Sequence, residues 1–205
     1  MIGPAAAQKL LPDIALPPST PKPCSANTVP AIRSRAPTTP STNLITSCPF
    51  DSLHPMPTSK LVPVDFAVPA GLRTEVFVLE PLTVRHNDLD YAAWMSSIEH
   101  IRQTPGFSDG KWPWPMSLEE NAGDLARHDR DFGDRAGFTY TVLDPATTDV
   151  IGCLYIYPSK RDGYDADVHS WVRADRAALD KPLYELVSGW LAEAWPFTNP
   201  DYAPR

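Results

Sequence analysis

The chain predicts a mixed α/β (α+β) fold, a mainly antiparallel sheet with helices on both faces, in the order β-α-α-β-β-β-α. Three observations carry that expectation. Two β-type runs, residues 137–143 and Val150–Tyr157, flank an Asp144-Pro145 turn. A third run, residues 165–173, leads directly into residues 180–195. There Leu183, Leu186, Val187, Trp190, Leu191 and Ala194 recur at i, i+3, i+4, i+7, i+8 and i+11, the apolar stripe of a helix laid on a sheet. Three strands with no helix between them also imply a meander and exclude a doubly wound parallel sheet.

Each earlier element has its own signal. Residues 74–83 are rich in Val, Phe and Leu and read as a strand, with Pro81 marking a bulge or an edge. Asn87 or Asp88 then caps a helix whose buried face is Tyr91, Trp94, Met95, Ile98 and Ile101. A loop over residues 104–116 contains Lys111-Trp112-Pro113-Trp114-Pro115. Ser117-Leu118-Glu119-Glu120 is a capping box that opens a second helix to about Phe132, with Leu118, Ala122, Leu125 and Phe132 inward.

Composition sets the domain organisation. Twelve of the 24 prolines lie in residues 1–60, where Ser and Thr are also dense and no apolar period survives. Such a stretch buries too little apolar surface to offset its ordering entropy, so residues 1–60 are expected to be a disordered leader and residues 61–205 one domain. Thr20-Pro21 and Thr39-Pro40 leave a phosphorylated tail as the other reading of the leader. It lacks the apolar run of a secretory signal, and its first arginine, Arg33, stands behind many prolines. No stretch is apolar enough for a membrane span, so a cytoplasmic protein with no membrane partner is the default.

The formal net charge is -7, and nearly all acidic residues lie beyond Lys60, which argues against a nucleic-acid partner. Cys24, Cys48 and Cys153 make no disulfide framework, and Cys153 reads as a buried structural thiol. His54, His86, His100, His128 and His169 have no ligand spacing, so no metal is expected.

The order of elements resembles the GNAT superfamily of acyl-CoA-dependent N-acyltransferases. Phe77-Val78-Leu79-Glu80-Pro81-Leu82-Thr83 is similar to its opening strand, and residues 88–94 to the start of its first helix. Val150-Ile151-Gly152-Cys153-Leu154 is similar to its third strand. Ser170-Trp171-Val172-Arg173 is similar to the strand that pairs with pantetheine, and residues 183–191 to the helix after the pyrophosphate loop. The resemblance spans residues 75–195. It implies acetyl-CoA as co-substrate, an amine acceptor that is a small molecule or a protein, and cofactor contacts from Trp171 and Val172.

Two features depart from that family. Its strand-to-helix junction carries glycines whose backbone N–H groups cradle the pyrophosphate. Here residues 173–182 read Arg-Ala-Asp-Arg-Ala-Ala-Leu-Asp-Lys-Pro, with no glycine to supply φ > 0. Arg173, Arg176 and Lys181 are the groups expected to replace the cradle by charge, while an Asp180 cap would oppose a phosphate. Beyond the long helix only residues 197–205 follow, broken by prolines. That predicts a bare sheet edge, with self-association or capture of a partner strand there.

Acyl transfer to an amine needs a base and a group that polarises the carbonyl. Strict alternation along residues 165–173 puts Asp167, His169, Trp171 and Arg173 on one face of the strand, opposite Ala166, Val168, Ser170 and Val172. Asp167 and His169 are therefore the expected base and orienter, against the alternative of two solvated strand residues. Tyr155, with Tyr157, is the expected acid, against the alternative of a ring buried for packing. Trp112 and Trp114 either shape an acceptor pocket or pack as a lid. A GNAT-fold binding module without catalysis stays open beside the enzyme reading.

Overall fold

A computed structural model describes residues 60–205. The leader expected at residues 1–60 therefore lies outside the described residues up to 59. Among the described residues six strands form one sheet in sequential order: β1 (Leu72–Arg73), β2 (Val78–Pro81), β3 (Phe138–Leu143), β4 (Val150–Tyr157), β5 (Ala166–Val172) and β6 (Pro200–Tyr202). All neighbours are antiparallel except β5 and β6, which are parallel. The helices are α1 (Asn87–Met95), α2 (Ile98–Gln103), α3 (Leu118–Asp134) and α4 (Asp180–Ala194). The expected mixed α/β architecture, a mainly antiparallel sheet flanked by helices, is present.

Period-two burial divides the side chains of the sheet between two cores. Phe138, Tyr140, Val142, Leu154, Ile156, Val168 and Val172 face α4, where Leu183, Val187, Trp190 and Leu191 complete one core. Full burial of each such side chain is worth about 1.5–3 kcal/mol. On the opposite face, Cys153 and Trp171 pack with Trp94, Ile101 and Leu125 from the first three helices. The alternation read along residues 165–173 is thus the alternation of two cores.

Four expectations need correction. Residues 74–77 are a turn rather than a strand, because the Thr74 hydroxyl accepts from Phe77 N at 2.9 Å and Val76 N at 3.2 Å. The first helix is broken at Ser96 and Ser97, whose hydroxyls each donate to Ala93 O at 2.9 Å, competing with the helical ladder. The capping box at Ser117 and Glu120 is formed, but Leu118 is 41% exposed, and Asn121 takes the inward place at 4%. Finally, β6 pairs Pro200–Tyr202 with Ala166–Val168, so the β5 edge is partly covered. The prolines of the last residues hid that pairing, since a proline at a strand start loses no ladder bond it needs.

Asn121 belongs to a buried polar knot invisible to hydrophobic periodicity. Its amide donates to Asp90 at 3.1 Å and to Asn87 at 2.9 Å, and its carbonyl accepts from Trp94 Nε1 at 3.0 Å. The knot ties α1 to α3 and satisfies an indole that would otherwise be buried unpaired. Burial raises the Asp90 carboxyl to about 6, against the hydrogen bond from Asn121 that pulls it down.

Candidate active site

The α1–α3 face of β4 and β5 carries a cavity of about 350 Å³. Its floor comes from alternate residues of the two strands, Tyr155 and Tyr157 of β4 and Asp167 and His169 of β5. Antiparallel register sets Tyr155 opposite His169 and Tyr157 opposite Asp167. One wall is the α2–α3 loop, through Gly106, Phe107 and Trp112; the other is α3, through Asp124, Arg127 and His128. The loop is pinned at two points: Arg102 Nε donates to Pro113 O at 3.0 Å, and the Tyr91 hydroxyl donates to Met116 O at 2.9 Å.

Asp167 and His169 are brought together. His169 Nε2 lies 2.8 Å from Asp167 Oδ1, and the side chains are 30% and 41% exposed for His169 and Asp167. The hydrogen bond to Asp167 raises the imidazole pKa above its ordinary value, against the opposing effect of burial. Asp167 is the outer member of the pair, and His169 Nδ1 is buried against Gly106. Gly106 has φ +96, and a Cβ there would stand 2.7 Å from that nitrogen. A glycine therefore makes room for the histidine twice over, by its backbone angle and by its missing side chain.

Tyr155 lines the cavity, but its hydroxyl accepts from Trp171 Nε1 at 3.3 Å and burial pushes its pKa well up. The phenol is therefore held protonated at neutral pH, with its oxygen engaged by the Trp171 N–H. Trp112 forms part of the wall, with its ring centroid 5.6 Å from Phe107 and 6.3 Å from Tyr155. Trp114 is 52% exposed and does not line the cavity, so only one of the two tryptophans shapes it. The Trp171 side chain is buried in the core against Trp112, and that of Val172 in the opposite core. Both residues are fully buried, so a cofactor contact at these positions falls to the backbone.

Where the resemblance places a pyrophosphate, the junction from β5 to α4 is internally satisfied. Residues Ala174–Leu179 form a 3₁₀ helix that runs directly into α4, and none of residues 173–181 has positive φ. Ala174 N donates to Ser97 Oγ at 3.0 Å, and Arg176 N donates to Arg173 O at 2.9 Å. The three expected cations do not converge. Arg173 Nε donates to Asp175 at 2.9 Å, Arg176 lies 3.5 Å from Asp144, and Lys181 lies 3.8 Å from Glu185.

Asp180 pairs instead with Arg205, Nε to Oδ2 at 2.7 Å, and the arginine side chain is only 3% exposed. Arg205 Nη2 also donates to Ser170 O at 2.8 Å, on the strand edge expected to meet pantetheine. In this arrangement a pyrophosphate would have to compete with the Asp180–Arg205 pair, because the junction has no positive-φ nest and the buried Arg205 side chain is already paired.

Neither a family model nor a curated protein matches the chain. Several solved structures are similar to it. One is a protein provisionally described as a GnaT-family acetyltransferase from Bordetella pertussis, 19% identical over 59% of this chain and 72% of that one, with a TM-score of 0.41. Another is a ribosomal-protein-S5-alanine acetyltransferase from Vibrio fischeri, 12% identical over 62% and 69%, with a TM-score of 0.46. A third is the microcin C7 self-immunity acetyltransferase MccE in complex with acetyl-CoA and AMP, 9% identical over 62% and 70%, with a TM-score of 0.42. The likeness is one of fold. Among the described residues no helix is long and apolar enough to cross a membrane, and no group of three His, Cys, Asp or Glu is placed to hold a metal ion.

Proposed function

We propose that the chain is an N-acyltransferase whose acceptor amine, on a small molecule or a protein, occupies the Asp167–His169 cavity, with acetyl-CoA as acyl co-substrate. The observation that supports it is the 2.8 Å Asp167–His169 hydrogen bond opening on an aromatic cavity of about 350 Å³. An amine is mostly ammonium at neutral pH, and its nitrogen must lose a proton before its lone pair can attack an acyl carbon. Asp167, the more exposed partner, meets the ammonium, and His169 behind it shares the proton along the hydrogen bond. A raised imidazole pKa makes this pair a better proton acceptor than an isolated histidine.

A second reading, a GNAT-fold binding module without catalysis, is favoured by one observation: Asp180 and Arg205 close the junction on itself. The two separate in one experiment. Thiol release from acetyl-CoA is followed with a panel of primary amines on the wild type and on Asp167→Asn, with acetyl-CoA binding measured alongside by calorimetry. The transferase reading expects amine-dependent thiol release that falls about 10²–10⁴-fold in Asp167→Asn, the usual contribution of a positioned base. No acetyl-CoA binding to the wild type or to Arg205→Ala, with no thiol release, leaves the binding module.

A further inference from the structure

The α3 wall of the cavity is built around a histidine that periodicity and motif left unmarked, His128. The Asp131 carboxylate can only accept, so the Tyr157 hydroxyl, at 2.9 Å, donates to it. The Tyr157 oxygen then accepts from His128 Nδ1–H at 2.7 Å, and Thr139 Oγ1 lies 3.0 Å from the same nitrogen. The ring proton is thereby held on Nδ1, and Nε2 keeps its lone pair. Among the described residues its polar approach is from Arg127 Nη2 at 3.5 Å, too long for a strong hydrogen bond. Burial, then the Arg127 charge, lowers the imidazole pKa to about 4, so the ring is neutral at physiological pH.

The relay is enabled by the backbone. A Cβ on Gly137 would stand 2.3 Å from the Tyr157 ring, so only glycine lets that ring lie where its hydroxyl meets both His128 and Asp131. The cavity thus carries two unlike polar groups. Asp167 offers a carboxylate suited to an ammonium, whereas His128 offers a neutral acceptor, and the carboxylates nearest it, Asp124 and Asp131, are paired with Arg127 at 3.3 and 3.7 Å. Phe107, Trp112 and Tyr155 line the same cavity, and their tilted and edge-on rings suit a flat apolar body.

We propose that His128 Nε2 is the specificity-determining acceptor of this cavity, which selects a primary amine whose flat apolar body ends in a hydroxyl or N–H donor. The amine end lies at Asp167 and the donor end at His128. This rests on the cavity being the acceptor site, but it is tested by binding alone, without an acyl donor.

Calorimetry with tyramine, phenethylamine and 4-methoxyphenethylamine compares one flat amine with a donor, with nothing, and with an ether that has no proton to give. Tyramine is expected to bind about three- to tenfold tighter than the other two, the range of one net hydrogen bond. His128→Leu should level the series while phenethylamine binding persists. Tyr157→Phe keeps the ring but removes the relay and should shrink the preference, with a thermal melt confirming the fold. Equal affinities on the wild type, no binding of any probe up to millimolar concentration, or a tyramine preference that survives His128→Leu overturns the proposal. Probes that bind with the expected preference in a protein that releases no thiol from acetyl-CoA would sink the transferase reading and leave this one standing.

Discussion

The two ends of β5 treat polar groups in opposite ways. Towards its start, Asp167 and His169 share a single hydrogen bond and face a cavity. Past its end, Arg173, Asp175, Asp180 and Arg205 are consumed by one another, and Ala174 N is held by Ser97. A site with unused hydrogen-bonding capacity can exchange it with a ligand at little cost. A site that is already paired must break something first, which costs the desolvation of whatever it frees. The part of the chain whose residue types look most like an anion site is therefore the part least prepared for one.

The largest expected effect tests the closed end. Arg205→Ala leaves the Asp180 carboxylate, 19% exposed, without its cation, and should cost about 3 kcal/mol of unfolding free energy in urea. Adding Asp180→Asn should recover more than about 1 kcal/mol of that loss, because the two are one interaction. Additive effects in this double-mutant cycle would show that the junction is not held by the pair.

The open end is more fragile in geometry than in energy. Gly106→Ala places a side chain at φ +96 and against His169 Nδ1. It should cost about 1–3 kcal/mol. It should also push the imidazole off Asp167, seen as a fall in the His169 pKa by NMR titration. A His169 pKa left unchanged would mean that Gly106 does not seat the ring.

The smallest effect is the sharpest in sign. Asp167→Asn should cost less than about 1 kcal/mol, because the pair is substantially exposed and screened by solvent. Its pH dependence separates the two histidines of the cavity. The raised pKa of His169 means that its contribution is full below the unfolded value near 6.5 and is lost as pH rises through the folded value. The lowered pKa of His128 means the reverse: its contribution is full above about 6.5 and fades as pH falls towards about 4. Urea unfolding across pH 4–8 should therefore show Asp167→Asn converging on the wild type at high pH. A deficit in Asp167→Asn that grows with pH would contradict that sign.

Local pattern announced β3, β4, β5 and α4 and the two faces of the sheet, but neither β1 nor β6. Residues 165–173 alternate strictly, and Leu183, Val187, Trp190 and Leu191 recur at helical spacing, because burial on one side of a strand or helix imposes a period that neighbouring residues must obey. Asp167 and His169 were legible for the same reason, as two polar side chains on a face of known direction. The remainder depended on contacts between elements far apart in the chain. His128, Tyr157, Asp131 and Thr139 come from three elements and share no spacing, so no local pattern announces their relay. The fate of Arg173, Arg176 and Asp180 was equally hidden, since a charged side chain in sequence looks the same whether it is free or paired. Periodicity is a local property of a chain, while hydrogen-bond partnership is settled between residues such as Arg205 and Ser170, which only folding brings within 2.8 Å.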